Sequence, residues 1–247
     1  MAHGIASDRI VLATAALLFI GSAAVTLAWC GSMAAMDGME MPGGWIMSMS
    51  WMRMPGQGWT QSAASFVGMW TLMMMAMMLP SLTPALRGHR PASAVRVAAA
   101  YFGVWTLLGV AVYPLGIAIA DFEMQHAGLA RLVPVLAALA LAACGITQLS
   151  AWKLRQLDCC RAPPTRGFND AGAAWRAGIS LGLRCCACCA PLTAALLVLG
   201  VMDPGIMACA TAAISLERLT PRGRAVARIS GVLLLATAAA SLLRSVA

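Results

Sequence analysis

Arg184-Cys185-Cys186-Ala187-Cys188-Cys189-Ala190-Pro191 lies inside an apolar run from Ala177 to Val201. A run of that length and character can cross a bilayer as one helix, which takes about 20 residues. Four of the nine cysteines fall within five consecutive positions. On a helix, Cys185 lies one turn from Cys188 and Cys189, and Cys186 one turn from Cys189, so these side chains share neighbouring turns. Thiols gathered in this way suit a soft metal ion or thiol–disulfide exchange. Packing alone explains them poorly. Arg184, the adjacent residue, offers a positive charge suited to thiolates.

The rest of the chain has the same character. Of 247 residues, 61% are hydrophobic and only 11% charged, and the mean hydropathy is +0.80. A soluble domain averages about 45–50% apolar and about 25% charged residues. The composition predicts an all-α, polytopic transmembrane helix bundle, with residues 1–247 forming a single membrane domain. We read about seven spans: Ile10–Trp29, Ser62–Leu82, Val97–Ala120, Leu132–Trp152, Ala177–Val201, Ile206–Leu219 and Ile229–Leu243. The sixth is short, so six spans result if it is re-entrant. Trp29 stands where leader cleavage needs a small residue, so the first run reads as a retained helix.

Seven spans assign the loops alternately to two sides. With the N-terminus inside, the inner segments hold Arg9, the group Arg87, Arg90 and Arg96, the group Lys153, Arg155, Arg161, Arg166 and Arg176, and finally Arg218, Arg222, Arg224 and Arg228. The outer segments hold only Arg53, Arg131 and Arg244. That asymmetry follows the positive-inside rule. It predicts a multi-pass protein of a bacterial inner membrane, N-terminus cytoplasmic and C-terminus external. Residues 153–176 and 217–228 become basic cytoplasmic loops. The lipid bilayer is then the first partner. Nucleic acid is not one, because the basic residues are scattered and no recognition motif accompanies them.

Residues 30–61 form a Met-, Gly- and Trp-rich loop on the external side, containing eight methionines. The second span carries Met69, Met73, Met74, Met75, Met77 and Met78 within ten residues, ending at Pro80. Met73 and Met77 stand one turn apart, as do Met74 and Met78. Methionine in a membrane helix is ordinarily packing. This density exceeds what filling gaps requires, and thioether sulfur is a soft ligand that favours Cu(I). At about 1.5 Å per residue, Met73 falls at roughly the depth of Cys185 to Cys189, and Met77 and Met78 somewhat nearer the inner face. Cys159 and Cys160 lie in the inner loop. The three histidines read as solvated residues, and Glu217 as an interfacial partner of Arg218. No haem-attachment, phosphate-loop or serine-nucleophile signature is present, so an enzyme is the less favoured expectation and is left open by the thiols alone.

These motifs resemble a bacterial family of predicted metal-binding integral membrane proteins catalogued as a domain of unknown function. The resemblance covers roughly residues 68–231. It rests on Met69-Trp70…Met74-Met75-Ala76-Met77-Met78-Leu79-Pro80, then on Gly145, Gln148, Lys153, Cys159, Cys160, Arg161 and Pro163. The third signature is Gly182, Leu183, Cys185, Cys188, Cys189, Gly200, Met202 and Asp203, and Glu217-Arg218 stands where the family ends on Glu-Lys. This chain departs from the pattern in Cys186, an additional thiol, and in Ala190-Pro191-Leu192-Thr193, where an aromatic residue and Leu-Met are usual. The resemblance implies a bound metal.

Together the residues predict a soft metal ion, copper ahead of zinc, because thioether matches zinc poorly. The expected ligands are Cys185, Cys188 and Cys189, with Cys186, Cys159 and Cys160 as further thiols and Met73, Met74, Met77 and Met78 as thioethers. The function so predicted is metal handling, transport or delivery to another membrane or periplasmic metalloprotein. Two other readings compete: a membrane thiol/disulfide redox protein, and a structural subunit of a membrane complex.

Overall fold

The computed structural model describes residues 2–34, 39–41, 45–47, 56, 58–161 and 170–246. It is built of helices α1 (Ala2–Ala34), α2 (Trp59–Leu86), α3 (Pro91–Gln125), α4 (Ala127–Ala130), α5 (Val133–Leu149), α6 (Ala151–Arg161), α7 (Ala171–Leu199), α8 (Pro204–Leu219) and α9 (Gly223–Val246). Two short strands, β1 (Met39–Met41) and β2 (Trp45–Met47), pair antiparallel within the Met-rich stretch. Half of the expected 30–61 loop (35–38, 42–44, 48–55 and 57), and the 162–169 part of the basic loop 153–176, lie outside the described residues.

Among the described residues, five helices are long and apolar enough to cross a membrane: α1, α2, α3, α7 and α9. The pair α5–α6, bent by 62° at Ser150, reaches that length only when its two helices are taken together, which makes the number of candidate spans five to six. The expected span Leu132–Trp152 therefore stops at Leu149, and the chain turns into a separate helix that carries Lys153 to Arg161. Helix α8 has 16 residues, which at about 1.5 Å each fall short of a bilayer. Five to six candidate spans thus stand against the about seven expected, and α8, though short, returns the chain to the end of the bundle where α9 begins.

Close approach between helices is set by glycine. A Cβ on Gly178 of α7 would sit 2.5 Å from the Val97 carbonyl oxygen of α3. One turn later, a Cβ on Gly182 would sit 3.0 Å from the Val104 side chain. Gly145 of α5 and Gly231 of α9 meet in the same manner. Small residues at such crossings let backbones touch, the usual means of packing apolar helices that gain little from excluding water. Helix α2 is held against α3 by buried Trp70, whose Nε1 donates to the Trp105 carbonyl at 2.9 Å. Tyr113 Oη donates to Ser62 Oγ at 2.8 Å near the other end of that pair.

These contacts fix direction. Residues 62 and 70 of α2 meet 113 and 105 of α3, so α2 and α3 are antiparallel. Residues 97 and 104 of α3 meet 178 and 182 of α7, so those two are parallel. One end of the bundle gathers the α2–α3 turn, α6 and the start of α9, the last two joined by the exposed Arg224–Asp158 salt bridge at 2.6 Å. We call this the basic end. His89, expected in solvent, is buried there, and its carbonyl accepts from Ser7 Oγ of α1 at 3.2 Å.

Candidate metal centre

Helix α7 turns Cys185, Cys188 and Cys189 inward, each no more than 1% exposed. Their spacing of three and four residues puts them on one stripe, and the stripe faces the core. Cys185 Sγ and Cys189 Sγ are 3.7 Å apart. Two sulfurs bonded at about 2.3 Å to one ion at the tetrahedral angle would stand about 3.8 Å apart. Cys160, arriving on α6, is buried next to Cys185 and Cys188. Met78 of α2 completes the group, its Sδ 3.9 Å from Cys185 Sγ. Met73, Met74 and Met77 are buried in the same core.

The other expected thiols stand apart. Cys186 is only partly buried and Cys159 is exposed. A residue next to an inward-facing cysteine is turned by about 100° around the helix axis, and that rotation separates 186 from 185 and 159 from 160. The same geometry disposes of Arg184, which is exposed and supplies no charge to the cluster.

The cations come from elsewhere. Arg218, near the end of α8, donates from Nη1 to Cys185 Sγ at 3.1 Å and to Ser81 Oγ at 2.8 Å. Tyr101 Oη of α3, fully buried, also donates to Cys185 Sγ, at 2.9 Å. One sulfur therefore faces two donors, one of them charged. Lys153 of α6 has no exposed surface. Its Nζ donates to the Cys188 carbonyl at 2.6 Å and pairs with Glu217 Oε2 at 2.7 Å. Glu217 is further held by Gln148 Nε2 and by Ser230 Oγ at 3.0 Å. So Glu217 is tied to Lys153, not to its neighbour Arg218 as the sequence suggested. Burying three charges is costly unless each is paired and hydrogen-bonded. Here Arg218 is left with a thiol as its counterpart.

Proline shapes this layer of α7. Pro191 has no N–H to return to the Ala187 carbonyl, which opens the helix ladder beside the thiols. Lys153 docks on the next carbonyl, that of Cys188. Helix α6 thus closes over the cluster with a buried face of Lys153, Leu157 and Cys160, at i, i+4 and i+7. It is pinned there by Arg161 Nη2, which donates to the Thr220 carbonyl at 2.6 Å.

Among the described residues, no three His, Cys, Asp or Glu side chains stand in a preformed metal-ligand set. The thiols form a hydrogen-bonded array instead. Their chemistry nonetheless fits a soft ion: thiol and thioether sulfur converge, and no histidine shares the layer. Tyr101 and Ser81 carried no signal in sequence. Lys153, Gln148, Glu217 and Arg218 stood out in sequence only as parts of the family resemblance, since Lys153 and Arg218 read as residues of basic loops and Glu217 as interfacial.

Fold and site define an all-helical protein with five to six spans of membrane length around a buried cluster of soft sulfur groups. A family model described as PpoB2, copper chaperone, matches residues 67–241, well over half of the chain and all of the cluster. The chain belongs to that family. No curated protein and no solved structure matches it.

Proposed function

We propose that this protein is a membrane copper chaperone that holds Cu(I) on Cys185, Cys188 and Cys189 and passes it on. The copper is cargo. Cys160 closes the site from α6 and Met78 borders it from α2, while Met73, Met74 and Met77 line the approach along α2. The supporting observation is the meeting of four buried thiols and one thioether, from α2, α6 and α7, around the Arg218 guanidinium. Thiolate and thioether together select Cu(I) over zinc. A cation beside the ligands compensates the negative charge that deprotonated sulfur brings into an apolar interior.

The distribution of arginine supports an orientation with the basic end in the cytoplasm of a bacterial inner membrane. Removing the buried Lys153 and Arg218 from the loop count leaves that asymmetry intact. The N-terminus is then cytoplasmic, the C-terminus external, and the Met-rich 30–61 stretch faces outward, where it would meet copper or a periplasmic metalloprotein. The test is copper content by mass spectrometry on protein purified anaerobically in detergent, wild type beside Cys185→Ser/Cys188→Ser/Cys189→Ser. Near-stoichiometric copper, lost in the triple variant, is the expected result. Equal trace copper in both would end this reading.

A further inference from the structure

Two helices of this chain carry one pattern. Met74-Met75-Ala76-Met77-Met78-Leu79-Pro80 in α2 and Cys185-Cys186-Ala187-Cys188-Cys189-Ala190-Pro191 in α7 correspond position by position, with methionine in one wherever the other has cysteine. Burial follows the same correspondence. Met74, Met77 and Met78 are no more than 1% exposed, as are Cys185, Cys188 and Cys189. Met75 and Cys186, at equivalent positions, are both only partly buried. In each helix a proline follows two residues after the last sulfur and weakens the ladder there. Helix packing alone has no reason to repeat sulfur at i, i+3 and i+4 on both helices.

The two helices run in opposite directions, since α2 is antiparallel to α3 and α3 is parallel to α7. Met78 touches Cys185 at 3.9 Å between sulfurs. Going back along α2 from Met78 and forward along α7 from Cys185 moves the same way, about 6 Å per four residues. By that rise Met74 and Cys189 fall at similar depth, and the Met78–Cys185 contact is where the thioether row meets the thiol row. One ion has room for about four sulfurs, fewer than the six present.

We infer that this layer is two stations: a thiol station on Cys185, Cys188 and Cys189, and a separate thioether station on Met74, Met77 and Met78. Each takes one monovalent soft ion, and an ion passes from one to the other across the Met78–Cys185 contact by exchanging one sulfur ligand for another. No electron moves in that exchange. The thioethers are neutral and hold a monovalent ion weakly, the thiolates hold it strongly, so the pair is graded toward α7. Met73, buried one turn before Met77, has Arg184 as its counterpart and extends the thioether row away from the basic end. This inference rests on the copper-binding reading above and assigns a second site to it.

The experiment counts Ag(I), a redox-inert monovalent probe, on full-length protein in detergent under anaerobic conditions, with competition by a soluble thioether to rank affinities. Wild type is compared with Met74→Leu/Met77→Leu, which conserves volume, and with Cys188→Ser/Cys189→Ser. Size-exclusion profiles check that each variant remains folded. Two ions on the wild type and one on each variant are expected, the ion kept by the cysteine variant held at least tenfold more weakly. A single ion on the wild type, unaffected by the methionine substitutions, overturns the second station while leaving copper binding by the thiols intact. No silver and no copper on the wild type overturns both readings together.

Discussion

Arg218 lies 33 positions after Cys185, yet its guanidinium donates directly to the Cys185 sulfur at 3.1 Å. No carboxylate pairs with Arg218 among the described residues, and its guanidinium is hydrogen-bonded to the Cys185 sulfur and to Ser81 Oγ. This makes a cation from α8 part of the environment of a thiol on α7.

Removing that cation should weaken copper binding. A hydrogen bond to a charged group contributes about 1.5–3 kcal/mol, which corresponds to roughly a tenfold to hundredfold loss of affinity in Arg218→Gln. Arg218→Lys should recover part of it. Competition with a Cu(I) chelator measures both; equal affinity in wild type and Arg218→Gln would separate the guanidinium from the metal.

The Lys153–Glu217 pair predicts a non-additive pattern of stability. Lys153→Met alone leaves a buried carboxylate without its cation, at a cost of about 3–5 kcal/mol. Lys153→Met/Glu217→Gln removes both charges and should be markedly more stable than the single variant. Thermal unfolding in detergent reads this, and simple additivity of the two substitutions would contradict it.

Adjacent cysteines should behave differently. Cys159→Ser and Cys186→Ala change thiols that stand outside the cluster, and copper content should stay at the wild-type level. Cys160→Ser removes a buried thiol in contact with Cys185 and Cys188 and should lower affinity about tenfold, on the order of a lost ligand contact. Arg184→Gln, at an exposed position, should leave copper affinity unchanged. A larger effect from Cys159 than from Cys160 would reverse the assignment.

Gly178→Val tests whether the α3–α7 approach supports the site. The Cβ alone would sit 2.5 Å from the Val97 carbonyl oxygen, and overpacking of this kind typically costs about 1–3 kcal/mol. We expect a lower Tm and loss of the Tyr101–Cys185 contact, seen as weakened copper binding. An unshifted Tm would show that the helices part without consequence.

The sequence by itself determined the class of fold and marked the residues on which the proposed chemistry rests. Long apolar runs with few charges have one economical solution, helices that satisfy their own backbone hydrogen bonds, and the clustered cysteine and methionine are what points to a soft ion. Periodicity, which is local, also says which sulfurs share a face of each helix, but not which face turns inward, and so Cys186 and Cys159 stood among the expected ligands although they lie outside the buried cluster. Only tertiary structure decided the partners. Nothing local to Arg184 or Arg218 says which of them faces Cys185; that follows from α8 ending against α2 and α7. Nor does the sequence of a polar segment announce that Lys153 is buried, since the 62° bend at Ser150 is what lays α6 across the cluster. Side-chain periodicity is a property of one helix, whereas charge compensation in an apolar interior requires groups from several helices, and their meeting is set by packing.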